Sequence, residues 1–175
     1  MVIDHLEEAR VDLHVVPDPV LRSVCIPVKE VTPRIRKIAK DLEDYMLSHS
    51  KSEGAPVGLA APQLGYSVRM IAFYPNPKFR EEGGVQILIN PELSKEKDYR
   101  ILREGCTSIP GKVFQVKRAL SLKLKGLTLD GVQKSFKARD ILAQIAQHEV
   151  DHLNGILIDW RTLEVEGGEL NGKGD

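Results

Sequence analysis

The sequence has no excess of charge of either sign: 25 basic and 25 acidic residues leave a formal net charge of zero. A surface built to neutralise many phosphates needs a basic excess, so nucleic acid is not expected as a main partner. No apolar run approaches the roughly 20 residues that span a bilayer, and no membrane association is expected. The first ten residues, MVIDHLEEAR, have neither a basic start nor an apolar stretch. They therefore predict neither a secretory signal nor an organelle transit peptide. Cytoplasm is the expected compartment, with an organelle the alternative if a transit peptide is trimmed away. Cysteine is scarce, with only Cys25 and Cys106. Without a secretion signal, reduced thiols are a better expectation than a disulfide between them, so each cysteine needs its own explanation. Internal repeats and low-complexity linkers are absent from the body of the chain.

What is present is an ordinary globular balance, 42% hydrophobic and 29% charged over 175 residues, which excludes a disordered chain and fits one domain. That domain is expected to occupy residues 1–165. The glycine-rich polar residues 166–175 are expected to fray. Thr32-Pro33 reads as a helix N-cap followed by proline at the first helical position. Ile35, Ile38, Leu42, Tyr45 and Met46 then recur at helical spacing, which predicts a helix over 33–48. A loop rich in Ser, Gly and Pro follows over 48–58. Residues 68–73 and 85–89 read as strands, and 119–124 alternates apolar and polar as a half-buried strand does. Asp130-Gly131 predicts a hairpin turn returning into 132–138. A second helix is expected over 140–154, with Leu142, Ile145, Ala146 and Leu153 on its buried face and Gly155 past its end. Short strands around two helices make an α+β domain.

The second helix carries His148-Glu149-Val150-Asp151-His152. Residues four apart lie on one helix face, so both imidazoles can reach one metal ion. Glu149 is turned by about 100° from His148, which lets its carboxylate approach a water without ligating. The plainer alternative is a surface helix with solvated His and Glu. A hydrolytic metal also needs a third protein ligand and an open position. No histidine follows His152, and the acids downstream (Asp159, Glu164, Glu166) come after the helix. Upstream stands Cys106, in Glu104-Gly105-Cys106-Thr107-Ser108-Ile109-Pro110, between small residues that allow close approach. A lone cysteine also reads as a small core hydrophobe, and Cys25 is taken as one.

Three blocks in this order and spacing resemble the peptide deformylase family, over about residues 16–160. They are Gly58-Leu59-Ala60-Ala61-Pro62-Gln63-Leu64-Gly65, Glu104-Gly105-Cys106-x-Ser108-Ile109-Pro110 and Gln147-His148-Glu149-x-Asp151-His152-Leu153-Asn154-Gly155. The segment Pro17-Asp18-Pro19-Val20-Leu21-Arg22 resembles the family's N-terminal region. The resemblance implies antiparallel sheets packed around a central helix that carries the motif, with a second, N-terminal helix. It implies that Cys106, His148 and His152 hold one divalent metal, natively Fe(II), with Zn(II) or Ni(II) in preparations; the ligand types do not choose among these. A metal-held water of lowered pKa would attack the formyl carbon of an N-formylmethionyl peptide, with Glu149 moving the proton and formate released. The oxyanion donors would be the Gln63 side-chain amide and the Thr107 backbone N–H. The peptide would lie extended along Val57, Gly58 and Gly105, its methionine in an apolar pocket by the metal helix. Glu104 and Arg118 would form a supporting ion pair for the cysteine loop, and Asp151 would be structural.

The chain departs from the family pattern at Thr107, where Leu is usual, and at Pro56, where glycine is usual. Lys112, Val113 and Phe114 also differ from common bacterial patterns, which affects the peptide beyond methionine. Some relatives contact the ribosome through a long C-terminal helix; none is evident here, so a transient ribosome contact stays open, as does oligomeric state. A zinc endopeptidase is a rival reading, but it leaves the Cys106 and Gln63 blocks unexplained. A non-catalytic relative is another, motivated by Thr107 and Pro56 and opposed by the intact Glu149.

Overall fold

A computed structural model describes residues 11–52 and 54–162; the expected tail at 166–175 lies outside them. Helix α1 spans Pro33–Ser48, as the stripe predicts, and Thr32 caps it by accepting from Ile35 N–H. Strands β1 (Gly58–Ala60), β2 (Met70–Phe73), β3 (Gln86–Cys106), β4 (Ile109–Leu127) and β5 (Gln133–Arg139) precede helix α2 (Asp140–Leu153). The strands form one five-stranded sheet in chain order, with every pairing antiparallel. The α+β class and antiparallel pairing match the expectation.

Strand β2 shows how the sheet sits between the helices. All four of its residues are buried, yet they alternate in direction. Ile71 and Phe73 pack with Leu122, Leu124, Ile145 and Leu153 on the α2 side. Met70 and Ala72 pack with Ile38, Leu42 and Met46 of α1 on the other. A third cluster, including Leu21, Cys106, Val116 and Leu157, closes the end where the cysteine sits.

Two features differ from the sequence expectation. Strand β3 runs 21 residues, far beyond the 85–89 segment, and β4 begins ten residues before the 119–124 alternation. Their outer halves form a ribbon whose β3 residues are mostly exposed and charged, so hydrophobic period does not mark it. The ribbon turns at Thr107-Ser108, so the cysteine block is a hairpin end with Cys106 paired to Ile109. Helix α2 is also buried on more than one face: Gln147, Glu149, Asp151 and His152 are buried along with Ala143, Ile145, Ala146 and Leu153. β5 passes into α2 without a loop, through Asp140 at φ 48°. Left-handed geometry is tolerated by aspartate better than by most residues. Gly155, at φ 70°, follows the helix end as expected.

Candidate metal centre and active cleft

The helical repeat sets the first part of the site. His148 and His152, one turn apart on α2, bring their Nε2 atoms to 3.2 Å. The hairpin end supplies the second part: Cys106 Sγ lies 3.4 Å from His152 Nε2. The three donor atoms all lie within 4.8 Å of one another. Tetrahedral bonds of about 2.0–2.3 Å imply ligand-to-ligand edges of about 3.3–3.8 Å, close to these separations. His148 commits its Nδ1–H to Glu104 Oε1 (2.5 Å); burial alone would lower its pKa, but hydrogen bonds to Cys106 and Glu104 hold it well above the ordinary value, so Nε2 would offer its lone pair where an ion displaces the proton. One thiolate and two imidazoles facing a common point fit a divalent transition metal.

Around these ligands lies a buried network of charge. Arg118 donates from Nη2 and Nε to the two Glu104 oxygens (2.7 and 3.0 Å), and from Nη1 to Asp151 Oδ2 (2.6 Å). Arg161 grips Asp151 through Nη2 (2.7 Å), and Gln144 donates to Glu104 Oε2 (3.1 Å). Burial alone would raise the Glu104 carboxyl, but hydrogen bonds from His148 and Arg118 outweigh it and bring it to about 2. It therefore stays a carboxylate and fixes both the tautomer and the plane of His148. The Nδ1 of His152 is buried without a partner among the described residues, so the two rings are unequally held.

Glu149 sits beside the ligands, 4% exposed, with Oε2 unpartnered. Burial pushes its carboxyl up to about 7, against the pull of His148. Gly58 makes room for it: a β-carbon there would stand 2.6 Å from Glu149 Oε1 and 2.6 Å from Ile145 Cγ2. Gln63 is buried rather than solvated. Its Oε1 accepts from Ala60 N–H (2.9 Å), and its Nε2 faces Ser108 Oγ (3.1 Å) and Thr107 Oγ1 (3.2 Å). These groups line a cleft of about 1030 Å³ that also takes in Val57, Gly105 and Ile145.

The polypeptide deformylase family model matches residues 11–164, a span that takes in every described residue. The chain belongs to the polypeptide deformylase family. It is similar to the peptide deformylase of Syntrophomonas wolfei, 39% identical over 149 residues that cover 85% of this chain and 91% of that one. The peptide deformylase of Thermomicrobium roseum is 40% identical, covering 80% and 78%. Among solved structures, the peptide deformylase of Thermotoga maritima superposes with a TM-score of 0.76 at 30% identity, covering 87% of this chain and 97% of that one. That of Synechococcus elongatus, solved in complex with actinonin, gives 0.79 at 31%, covering 91% and 84%.

In this deformylase the structure brings Cys106, His148, His152, Glu149, Gln63 and Thr107 to one end of the cleft. Glu104 and Arg118 meet behind it. Val57 and Gly105 lie along its walls, but Val57 O already accepts from Tyr74 N–H (3.1 Å). A β-carbon on Gly105 would meet only Lys112 O at 3.6 Å, so packing does not demand glycine there. Sequence reasoning missed Gln144, Arg161 and Ser108. Gln144 and Arg161 carry no motif spacing. Ser108 does stand in the Glu104–Pro110 block, and its place there was the available signal; its contact with Gln63, 45 residues away, is set by the fold. Both cysteines are free, and Cys25 is a buried core residue.

Proposed function

We propose that the chain is a metal-dependent amide hydrolase that removes the formyl group from the N-terminal formylmethionine of newly made polypeptides. The observation that carries this reading is the convergence of Cys106, His148 and His152 beside the unpartnered Glu149 carboxylate, at the end of a peptide-sized cleft. Cys106 Sγ and the two Nε2 atoms would hold one ion, Fe(II) natively. When bound, it supplies Lewis-acid chemistry at the end of the cleft.

The remaining steps belong to the chain's own residues. Glu149 takes a proton from the attacking water and delivers it to the departing amine nitrogen. A C–O bond forms to the formyl carbon and its C–N bond breaks, releasing formate and a free amino terminus. The Thr107 backbone N–H and the Gln63 amide face the oxygen that gains charge. Glu104, held by Arg118, keeps His148 oriented through the cycle. The peptide lies extended against Val57, Gly58 and Gly105. Residues 1–165 act as one catalytic domain in the compartment of translation, the cytoplasm, where contact with the ribosome is transient.

The test is formate release from formyl-Met-Ala-Ser by protein loaded anaerobically with Fe(II), Ni(II) or Zn(II) in turn. Release is expected, and fastest with Fe(II). Absence of formate with all three ions would overturn the reading; cleavage of unformylated peptides instead would point to an endopeptidase.

A further inference from the structure

The cleft carries acids at one place and lysine and arginine at another. Where the ligands meet stand Glu149 and Glu104, the latter committed to Arg118 and His148. Along the hairpin wall stand Arg103 and Lys112, the only other Asp, Glu, Lys or Arg side chains lining it among the described residues. Both are exposed, and neither side chain has a hydrogen-bond or ion-pair partner among those residues. Strand pleating sends Arg103 and Gly105 to one side of β3 and Glu104 to the other, into its pairing with Arg118. Gln144 donates to the Arg103 carbonyl (3.1 Å), which fixes the root of that side chain against α2. Lys112 lies across from it: a β-carbon on Gly105 would meet only Lys112 O, at 3.6 Å. Both cations are therefore rooted beside Gly105, one in each strand of the hairpin.

An extended peptide advances about 3.4 Å per residue. With its formyl group at the ligand end, its second and third residues pass about 7 to 10 Å along the wall. Arg103 stands three residues back from Cys106 on β3, a reach of about 10 Å. A carboxylate at that distance gains two unpaired cations, whereas a lysine or arginine meets like charge. We infer that the Arg103–Lys112 rim selects formylated chains with an acidic side chain at their second or third residue and disfavours basic ones. This rests on the deformylase reading above and adds to it a preference beyond formylmethionine.

The experiment measures kcat/KM for formate release from C-terminally amidated formyl-Met-Ala-Ser and from its analogues with Glu, Gln or Lys at the second or third residue. Amidation removes the terminal carboxylate, so the side chain is the only acid offered; the free-acid form of formyl-Met-Ala-Ser is run beside them. Wild type and the double variant Arg103→Gln/Lys112→Gln are loaded with the same ion and compared at low and high salt. In wild type at low salt the better Glu peptide is expected to exceed its Gln counterpart by about 3- to 20-fold, with the Lys peptide slowest. That ratio is expected to fall toward one at high salt and in the double variant. Because each protein is compared with itself across peptides, a general loss of activity in the variant cancels in the ratio. Equal kcat/KM for Glu and Gln peptides would overturn the inference, as would a ratio that neither salt nor the double substitution moves. A gain shown by the free acid but by no Glu-containing amide would overturn it too, since the selection would then be for a chain terminus. Formate from none of the peptides would overturn the deformylase reading and this inference with it, whereas formate without discrimination overturns the inference alone.

Discussion

Glu149 and Gly58 depend on one another. Glu149→Gln keeps the shape of the side chain and removes its basicity. It is expected to retain metal while kcat falls by about 10²- to 10⁴-fold, measured as formate release beside metal content. Gly58→Ala places a carbon 2.6 Å from both Glu149 Oε1 and Ile145 Cγ2, so Glu149 must move. The expected result is loss of activity with metal retained, whereas Gly105→Ala, with 3.6 Å of room, leaves the melting temperature nearly unchanged. Cys25 offers a pH test away from the site. Burial pushes its thiol up to about 11, against the attraction of Arg69, from an ordinary value of about 8.5. In that interval the unfolded chain ionises Cys25 and the folded chain does not, so stability falls as pH rises from about 8.5 to about 11. Chemical denaturation across this range is expected to show a shallower decline in Cys25→Ala than in wild type.

The elements divide the work between the two faces of the sheet. α2 and the end of the β3–β4 ribbon carry the residues of the proposed chemistry, while α1 packs on the opposite face. Leu42→Ala, at a fully buried α1 position, is expected to cost about 2–5 kcal/mol in denaturant unfolding with metal content retained. Arg118 instead ties β4 to β3 and α2 through Glu104 and Asp151. Replacing it with Met leaves buried carboxylates undercompensated, with an expected loss of about 3–5 kcal/mol. Release of Glu104 would also loosen His148, so metal affinity should fall together with stability. An Arg118→Met protein of wild-type stability would show that Gln144, His148 and Arg161 suffice to hold the two carboxylates.

At the scale of the whole molecule, metal, fold and thiol chemistry are linked. An ion shared by Cys106, His148 and His152 would add a further tie between the hairpin end and α2, so chelation is expected to lower the melting temperature as well as abolish formate release. It should also expose Cys106 to a thiol reagent at the cleft while Cys25 stays protected, and reloading metal should reverse the labelling. How much of this was legible in advance follows from the range of each interaction. Helix α1, helix α2 and the pairing of His148 with His152 come from spacings of three and four residues, which a helix converts directly into faces. The 130–131 turn and the resemblance at three blocks are likewise readable along the chain. The long β3–β4 ribbon was not, because its outer residues are solvated and leave no hydrophobic period. Residues far apart in sequence became neighbours only through strand register and the burial of α2: Arg161 against Asp151, Gln144 against Glu104, Gly58 beneath Glu149. The amino-acid order alone therefore determined which side chains could ligate and hydrolyse. Tertiary packing decided which lone pairs face one another and which carboxylate stays unpaired, because both depend on contacts between separate elements in a space that excludes water.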